Sequence, residues 1–273
     1  MRKYLRKKFI NADVGVTGAN FLIAREGAVA VTENEGNALL SASMPRLHIA
    51  IAGIEKIIPT IDDLDVFWPL LAVNGTGQQM TVYNNLFFGP QKNSEQDGPE
   101  QMVIILVNNG RTKLFKDDVV RESLACIRCG ACLNSCPVYK NIGGYTYDTT
   151  YSGPIGAVIT PHLKEFKEYK HLSFASSLCG KCVEVCPVKI PLTKLLLYNR
   201  QLANKQKLTP QKERFLLSAS TFVLLHRYLL DFMNGKFKTL FLSMFNEKFF
   251  GKKRELNKLP MSSFSKQWKK NRV

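Results

Sequence analysis

Short apolar runs separated by turn residues fill the first 115 positions of the chain. Residues 20–24 (NFLIA) and 28–32 (AVAVT) are β-rich and flank Arg25-Glu26-Gly27, which predicts a hairpin. Residues 47–53 (LHIAIAG) form a continuous apolar run, the pattern of a strand buried on both faces. Residues 80–88 and 102–110 predict two further strands, the second ending in an Asn-Asn-Gly turn, with a polar loop between them. Asp62, Asp63 and Asp65 read as a helix start, with Asp62 or Asp63 as N-cap. Pro69 should keep that helix from running long. A basic, helix-like opening leads into the Gly-rich segment 13–21 (DVGVTGANF). It lacks the Lys-Ser/Thr of a phosphate loop and the spacing of a dinucleotide fingerprint, so structural turns are expected there. Four or five strands and one clear helix leave such a sheet incompletely covered.

Beyond position 115 the period changes to helical. Asp117 can cap a helix leading to Cys126, and the connector 141–175 predicts helices around 153–163 and 164–172. After 205, Thr209 reads as a cap and Pro210 as the first residue of an amphipathic helix. The near-apolar stretch 215–233 approaches the roughly 20 residues of a membrane span. It contains His226, Arg227 and Asp231, and interior charges cost about 2.5–3.5 kcal/mol each in lipid. A helix packed on protein is therefore expected, with surface attachment to a membrane as the alternative. The residues from Lys252 onward are expected to be poorly ordered. The chain thus reads as α+β: a partial α/β domain at 1–115, a mainly helical cysteine domain at 116–205, and a basic helical tail at 206–273.

Charge and cysteine usage sharpen this picture. The net charge is +16, and the residues from Lys189 onward hold 19 Lys+Arg against 4 Asp+Glu. Such a tail is either a solvated face or a surface for an acidic partner, a membrane or nucleic acid. Its phenylalanines suit a helical stripe better than a base-stacking platform, so nucleic acid is not expected. The opening residues carry basic side chains but no apolar run of the secretory type. All seven cysteines lie in two short segments, and an odd number at metal-ligand spacing argues against a disulfide framework. A reducing compartment, the cytoplasm, follows as the expected location.

Those two segments are 126–140 (CIRCGACLNSCPVYK) and 176–190 (SSLCGKCVEVCPVKI), which align without a gap. Cys126, Cys129, Cys132 and Cys136 fall on Ser176, Cys179, Cys182 and Cys186. Three thiolates two residues apart let one looping segment reach three corners of an iron–sulfur cube, while the cysteine before proline ligates the other cluster of a pair. Gly130 and Gly180 follow a cysteine, where backbone must pass close to an inorganic core. The rule assigns Cys126, Cys129, Cys132 and Cys186 to cluster 1, of the 4Fe-4S type. Cluster 2 receives Cys136, Cys179 and Cys182, and its last slot falls on Ser176. That cluster is expected to be three-iron, or four-iron with an oxygen ligand from Ser176, Ser177 or water. The alternative for both serines is local hydrogen bonding. Zinc with four cysteine ligands uses separate C-x₂₋₄-C pairs, which this triple-plus-C-P pattern fits poorly.

Other chemistry is thin. His48, His162, His171 and His226 are scattered, and His48 reads as a core residue. Tyr145, Tyr147 and Tyr151 are expected to pack around the clusters. No Ser-His-Asp set, P-loop, or flavin or nicotinamide fingerprint is present, so no catalytic residue is assigned.

Taken together, residues 13–37, 48–60, 108–111, 126–144, 151–161, 175–190 and the closing Leu-Pro…Ser-Phe…Trp resemble the lactate-utilisation protein B family. This is the iron–sulfur subunit of a bacterial three-protein system that oxidises L-lactate. The resemblance covers nearly the whole chain and includes the serine at 176. It implies an incomplete CoA-transferase-like first domain, which a further upstream segment completes in the family, so the chain is expected to be a fragment, a split gene product or a shortened variant. It also implies an electron relay between partner subunits, with the substrate chemistry in a partner. The competing reading is a non-redox, metal-stabilised interaction module whose tail binds a membrane surface or nucleic acid.

Overall fold

In a computed structural model of the chain, residues 2–232, 234–250, 257 and 259–271 are described. The chain divides into two compact units, one ending at Gln206 and one beginning at Lys207.

The first unit opens with α1 (Arg2–Ile10), β1 (Val14–Gly18), β2 (Phe21–Ile23) and β3 (Ala28–Glu33). There follow α2 (Asn37–Ser43), β4 (Leu47–Gly53), β5 (Ile57–Ile58), α3 (Leu64–Thr76), β6 (Tyr83–Phe87) and β7 (Gln101–Val107). The strands form two sheets: a parallel one in the order β1-β4-β7, and a mixed one in the order β5-β2-β3-β6. The hairpin read from the sequence is β2–β3, with Ile23 opposite Ala28.

Three features depart from the sequence reading. The Gly-rich segment is neither a loop nor a set of turns but the edge strand β1, paired with β4 from Val14 opposite Leu47 to Gly18 opposite Ile51. Gly15 explains why: a Cβ there would lie 1.7 Å from the Ser41 carbonyl oxygen, so glycine lets the end of α2 press onto the strand. Next, β4 is buried on one face only. His48, Ala50 and Ala52 point into the core, while Ile51 shares an exposed face with Val14, Val16, Val103 and Ile105. The apolar run reflects central pairing between two parallel strands; β4 is covered from one side, while β7 has exposed residues on both faces, Val103 and Ile105 on one and Ile104 and Leu106 on the other. Third, α3 runs for 13 residues through Pro69. The missing N–H removes one hydrogen bond, and both ends of the helix are held. Thr60 and Asp63 form a capping box at the preceding 3-10 turn, and Gly77 closes the other end at φ 75°.

The chain then turns helical through α4 (Arg111–Phe115), α5 (Ala131–Ser135), α6 (Pro137–Ile142), α7 (Gly153–Leu163), α8 (Phe166–Tyr169), α9 (His171–Phe174), α10 (Lys181–Glu184) and α11 (Leu192–Lys205). Asp117 does cap, its Oδ1 accepting from the Val119 and Val120 N–H groups, but the element it starts is a 3-10 helix at Val120–Ala125. Only six residues separate that start from Cys126, where the backbone becomes extended. The helix expected at 164–172 is broken into α8 and α9. Buried from Gly153 to Pro161, α7 is the axis of this half, and Leu192, Leu195 and Leu196 of α11 lie in the same core.

The sheet half and the helical half share apolar contacts. Ile127, between the first two cysteines, is buried in the core formed by Phe21, Ile23, Ala30, Ile58, Leu64 and Leu71. Val188 packs against both that core and the helical one.

The second unit contains α12 (Gln211–Leu225), α13 (Arg227–Phe232), α14 (Gly235–Phe250) and α15 (Phe264–Asn271). Pro210 is the N-cap of α12, not its first helical residue. Its ring fixes φ near −54°, while ψ of 140° keeps it outside the helix. Every side chain of α12 is exposed. Helix α12 ends at His226, and among the described residues no helix is long and apolar enough to cross a membrane. Order also extends further than expected: α15 is helical, and the Leu259 N–H donates to Thr239 Oγ1. Residues 252–256, 258, 272 and 273, included in the expected disorder, lie outside the described residues.

Candidate metal centre

The fifty-residue repeat recurs in the backbone. Arg128 and Leu178 both take positive φ, at 65° and 56°, and Gly130 and Gly180 follow at 80° and 84°. Each glycine is the N-cap of a one-turn helix, α5 or α10. Open space surrounds a Cβ built on either glycine, so within the protein it is the left-handed φ that calls for glycine. The paired left-handed residues fold each loop back so that N–H groups meet sulfur. The Ala131 N–H donates to Cys129, and its counterpart, Lys181, donates to Cys179. Past each Cys-Pro, Cys136 Sγ accepts from the Tyr139 N–H at 3.5 Å and Cys186 Sγ from the Ile190 N–H at 3.4 Å.

Four thiols from the two repeats wall one cavity. Cys126, Cys129, Cys132 and Cys186 line a volume of about 160 Å³, together with Arg128, Leu133, Tyr151 and Ile155. Burial pushes the Cys132 thiol up to about 12, although the Ile155 N–H at the start of α7 donates to it. Cys129 is raised by burial, then by its neighbours Cys126 and Cys186. The other three thiols lie together as well. Cys182 is pushed up to about 11, first by burial and then by Cys136 and Cys179. Cys179 is exposed, and the Lys181 N–H and the Ser177 hydroxyl lower its pKa.

The two serines are engaged locally. Ser176 Oγ accepts from the Leu178 N–H at 3.2 Å, and its carbonyl accepts from Arg200 Nη2 at 2.8 Å. Tyr147 is buried in the helical core with Cys182 and Cys186, and Tyr151 packs against that core. Tyr145, expected to pack there too, is fully exposed, because its short 3-10 helix presents Tyr147 to the core instead. His48 is buried, its Nε2 2.7 Å from Thr17 Oγ1.

A largely buried charged group beside the cavity was not evident from the sequence. It contains Glu55 and Lys56, from the turn between β4 and β5, and Arg111, Arg128 and Tyr151. Lys56 Nζ donates to the Cys126 carbonyl at 2.8 Å, and burial, then Arg128, lowers its pKa to about 8. Arg111 Nε stands 2.5 Å from Glu55 Oε2, an ion pair in distance whose angle does not make an aligned hydrogen bond. Arg111 Nη2 donates to the Tyr151 hydroxyl at 2.9 Å, and the Arg128 guanidinium lies 4.0 Å from the centre of the Tyr151 ring. Arg128 Nη2 is 3.6 Å from Glu55 Oε1. Of this set Arg128 had a sequence signal in its place between two cysteines, and Tyr151 in its expected packing around the clusters.

These residues fit a sulfide-bridged iron cluster. Thiols raised by burial need an electropositive centre among them to ionise. Their sulfurs already receive N–H donors, the usual second shell of such groups. Arg128, in the cavity wall, has a buried Nη1 with no acceptor, which inorganic sulfide would supply. Among the described residues no three His, Cys, Asp or Glu side chains converge as ligands of a single ion. A cube distributes its thiolates over separate irons and does not require that convergence.

A mixed sheet layer joined to a duplicated cysteine module defines the class: a LUD-domain protein carrying a ferredoxin-like dicluster domain. Family models match in that order, the LUD domain at residues 1–107 and the 4Fe-4S dicluster domain at 122–190. The chain is 44% identical over 212 residues to "Lactate utilization protein B" of Shouchella clausii (strain KSM-K16), covering 78% of this chain and 44% of the relative. It is 48% identical over 207 residues to the proteins of that name from Bacillus cereus (strain AH820) and Bacillus thuringiensis (strain Al Hakam), covering 76% of this chain and 43% of each relative. Over about three quarters of its own length the chain is homologous to these lactate utilization proteins. It spans less than half the length of these curated relatives. No solved structure matches it.

Proposed function

We propose that the protein is a cytoplasmic electron-transfer subunit that carries electrons released when L-lactate is oxidised to pyruvate, working with other subunits of a lactate-utilisation complex. The observation that supports this most is the single cavity walled by Cys126, Cys129, Cys132 and Cys186, three thiols from one repeat and one from the other. In this reading those four hold a 4Fe-4S cluster, while Cys136, Cys179 and Cys182 hold a second. The last slot of the second cluster goes to Ser176 or another oxygen ligand, or is absent in a 3Fe-4S form. Such clusters, when bound, accept and give up one electron at a time. The chain's own residues ligate, donate N–H groups to sulfur and wall the first site with Tyr151, Leu133 and Ile155. Residues 116–205 act as the cluster domain, 1–115 as a partial CoA-transferase-like platform, and 206–273 as an attachment segment. No residue here is assigned to abstract the lactate proton or take its hydride, so that chemistry belongs to a partner. Protein prepared without air should contain iron and acid-labile sulfide, absorb broadly in the visible and give paramagnetic signals on reduction. A colourless, zinc-loaded chain would favour a non-redox interaction module.

A second reading concerns the tail. Phe264 and Trp268 stack at 5.8 Å on one side of α15, both exposed, beside Lys266, Lys269 and Lys270. Aromatic and basic side chains on one short helix suit the surface of an anionic membrane. Sedimentation with vesicles containing phosphatidylserine, lost on Trp268→Ser and in high salt, tests it. Salt-sensitive binding to nucleic acid in place of lipid would overturn it.

A further inference from the structure

We infer that Lys56, buried, and Arg128, half-buried in the cavity wall, form a cationic clamp that raises the reduction potential of the cluster held by Cys126, Cys129, Cys132 and Cys186. The inference rests on that ligand reading and adds to it a device that sets one cluster's potential from the sheet half of the molecule.

The charges are placed to act on this cluster. Lys56 is 9% exposed, and its ammonium touches the carbonyl of Cys126, the first thiol residue of the set. Arg128 lies between Cys126 and Cys129 in the cavity wall itself. Three cations, Lys56, Arg111 and Arg128, share a single buried anion, Glu55, and Glu55 sits closest to Arg111, on the far side of the pairing. Two positive charges therefore remain uncompensated beside the cavity. Reduction adds one electron to a cluster, and neighbouring positive charge stabilises the reduced form. In a buried setting this field is poorly screened by water or salt. The second thiol set has a different surrounding: Cys179 is exposed, the nearby Lys181–Glu184 pair is exposed and self-neutralising at 2.8 Å, and one half-buried cation, Arg200, reaches the Ser176 carbonyl. The clamp should act on one cluster and leave the other alone.

Lys56 reaches the site only because the β4–β5 turn docks on the cysteine loop. Ile127 in the sheet core and the Glu55–Arg111 pair hold that docking. Lys56 and Arg128 are thus positioning residues that act on the cluster through charge.

The test is an anaerobic redox titration of the full chain, followed by electron paramagnetic resonance with iron and sulfide counted in parallel. Lys56→Met and Arg128→Met should each lower the potential of one signal, the one missing in Cys186→Ser, and leave the other signal in place. Lys56→Arg should keep the wild-type potential. Unchanged potentials at full iron content would overturn the inference, as would equal shifts of both signals or a Lys56→Arg shift as large as that of Lys56→Met. Loss of one cluster's iron in both Met variants would reduce the clamp to a structural tie. A wild-type chain devoid of iron would overturn the ligand reading itself, a separate outcome.

Discussion

The Lys56 ammonium donates to the Cys126 carbonyl at 2.8 Å, joining residues 70 positions apart. This bond and the ion pair beside it fasten the turn after β4 to the first cysteine loop. The Glu55 and Arg111 side chains are 5% and 6% exposed, so their charges depend on each other. Glu55→Gln leaves the buried Arg111 and the half-buried Arg128 without their anion. Removing one partner of such a pair costs about 3–5 kcal/mol. Urea unfolding should show a correspondingly lower midpoint with an unchanged slope.

Two glycines of β1 should behave oppositely. Gly15→Ala drives a methyl group to 1.7 Å from the Ser41 carbonyl, and overpacking of this kind costs roughly 1–3 kcal/mol. Gly18→Ala meets nothing within 4 Å and should change stability by less than about 0.5 kcal/mol. Thermal melts of the two variants check the difference.

Stability should fall on acidification. Burial holds the His48 pKa below its ordinary value, and its Nδ1 has no partner to accept an added proton's charge. Burial lowers His162 as well, against the raising effects of Asn199 and Asp117. The unfolded chain therefore binds protons that the folded chain refuses. The stability contributed by the neutral imidazoles is full above the unfolded pKa of about 6.5 and is lost as pH falls from there towards the folded values. Unfolding free energies measured between pH 7.5 and 5.5 should decline, and His48→Gln should flatten the decline.

Ser176→Cys should complete a fourth thiolate for the second cluster, adding up to about one iron per chain and changing that cluster's resonance signal alone. The Ser176 hydroxyl accepts from the Leu178 N–H at 3.2 Å, a local bond, so the exchange is sterically mild. Unchanged iron content and spectrum would mean that position 176 does not face the cluster.

How far the sequence foretold this molecule depends on the range of the interactions involved. The β2–β3 hairpin and α7 were legible because a turn signal and a helical period act within a few residues. The cysteine repeat was legible because ligand spacing is local, and its gapless alignment reappears as matched positive φ at Arg128/Leu178 and Gly130/Gly180. Strand β1 was not legible because Gly15 serves a contact with Ser41, a partner 26 positions away. Pro69 was overweighted because the caps and core contacts that hold α3 lie outside the helix's own pattern. The charged group of Glu55, Lys56 and Arg111 had no chemical signature of its own. Isolated charges in sequence look like surface residues, and only the docking of two halves makes them buried neighbours.

Crosswise coordination is the claim on which the rest depends, and paramagnetic resonance of single-cysteine variants tests it most directly. Prepared without air and reduced, Cys186→Ser should lose or perturb the same signal as Cys126→Ser, while retaining the signal affected by Cys179→Ser. If Cys186→Ser instead alters the Cys179 signal and spares that of Cys126, each repeat holds its own cluster and the account is contradicted.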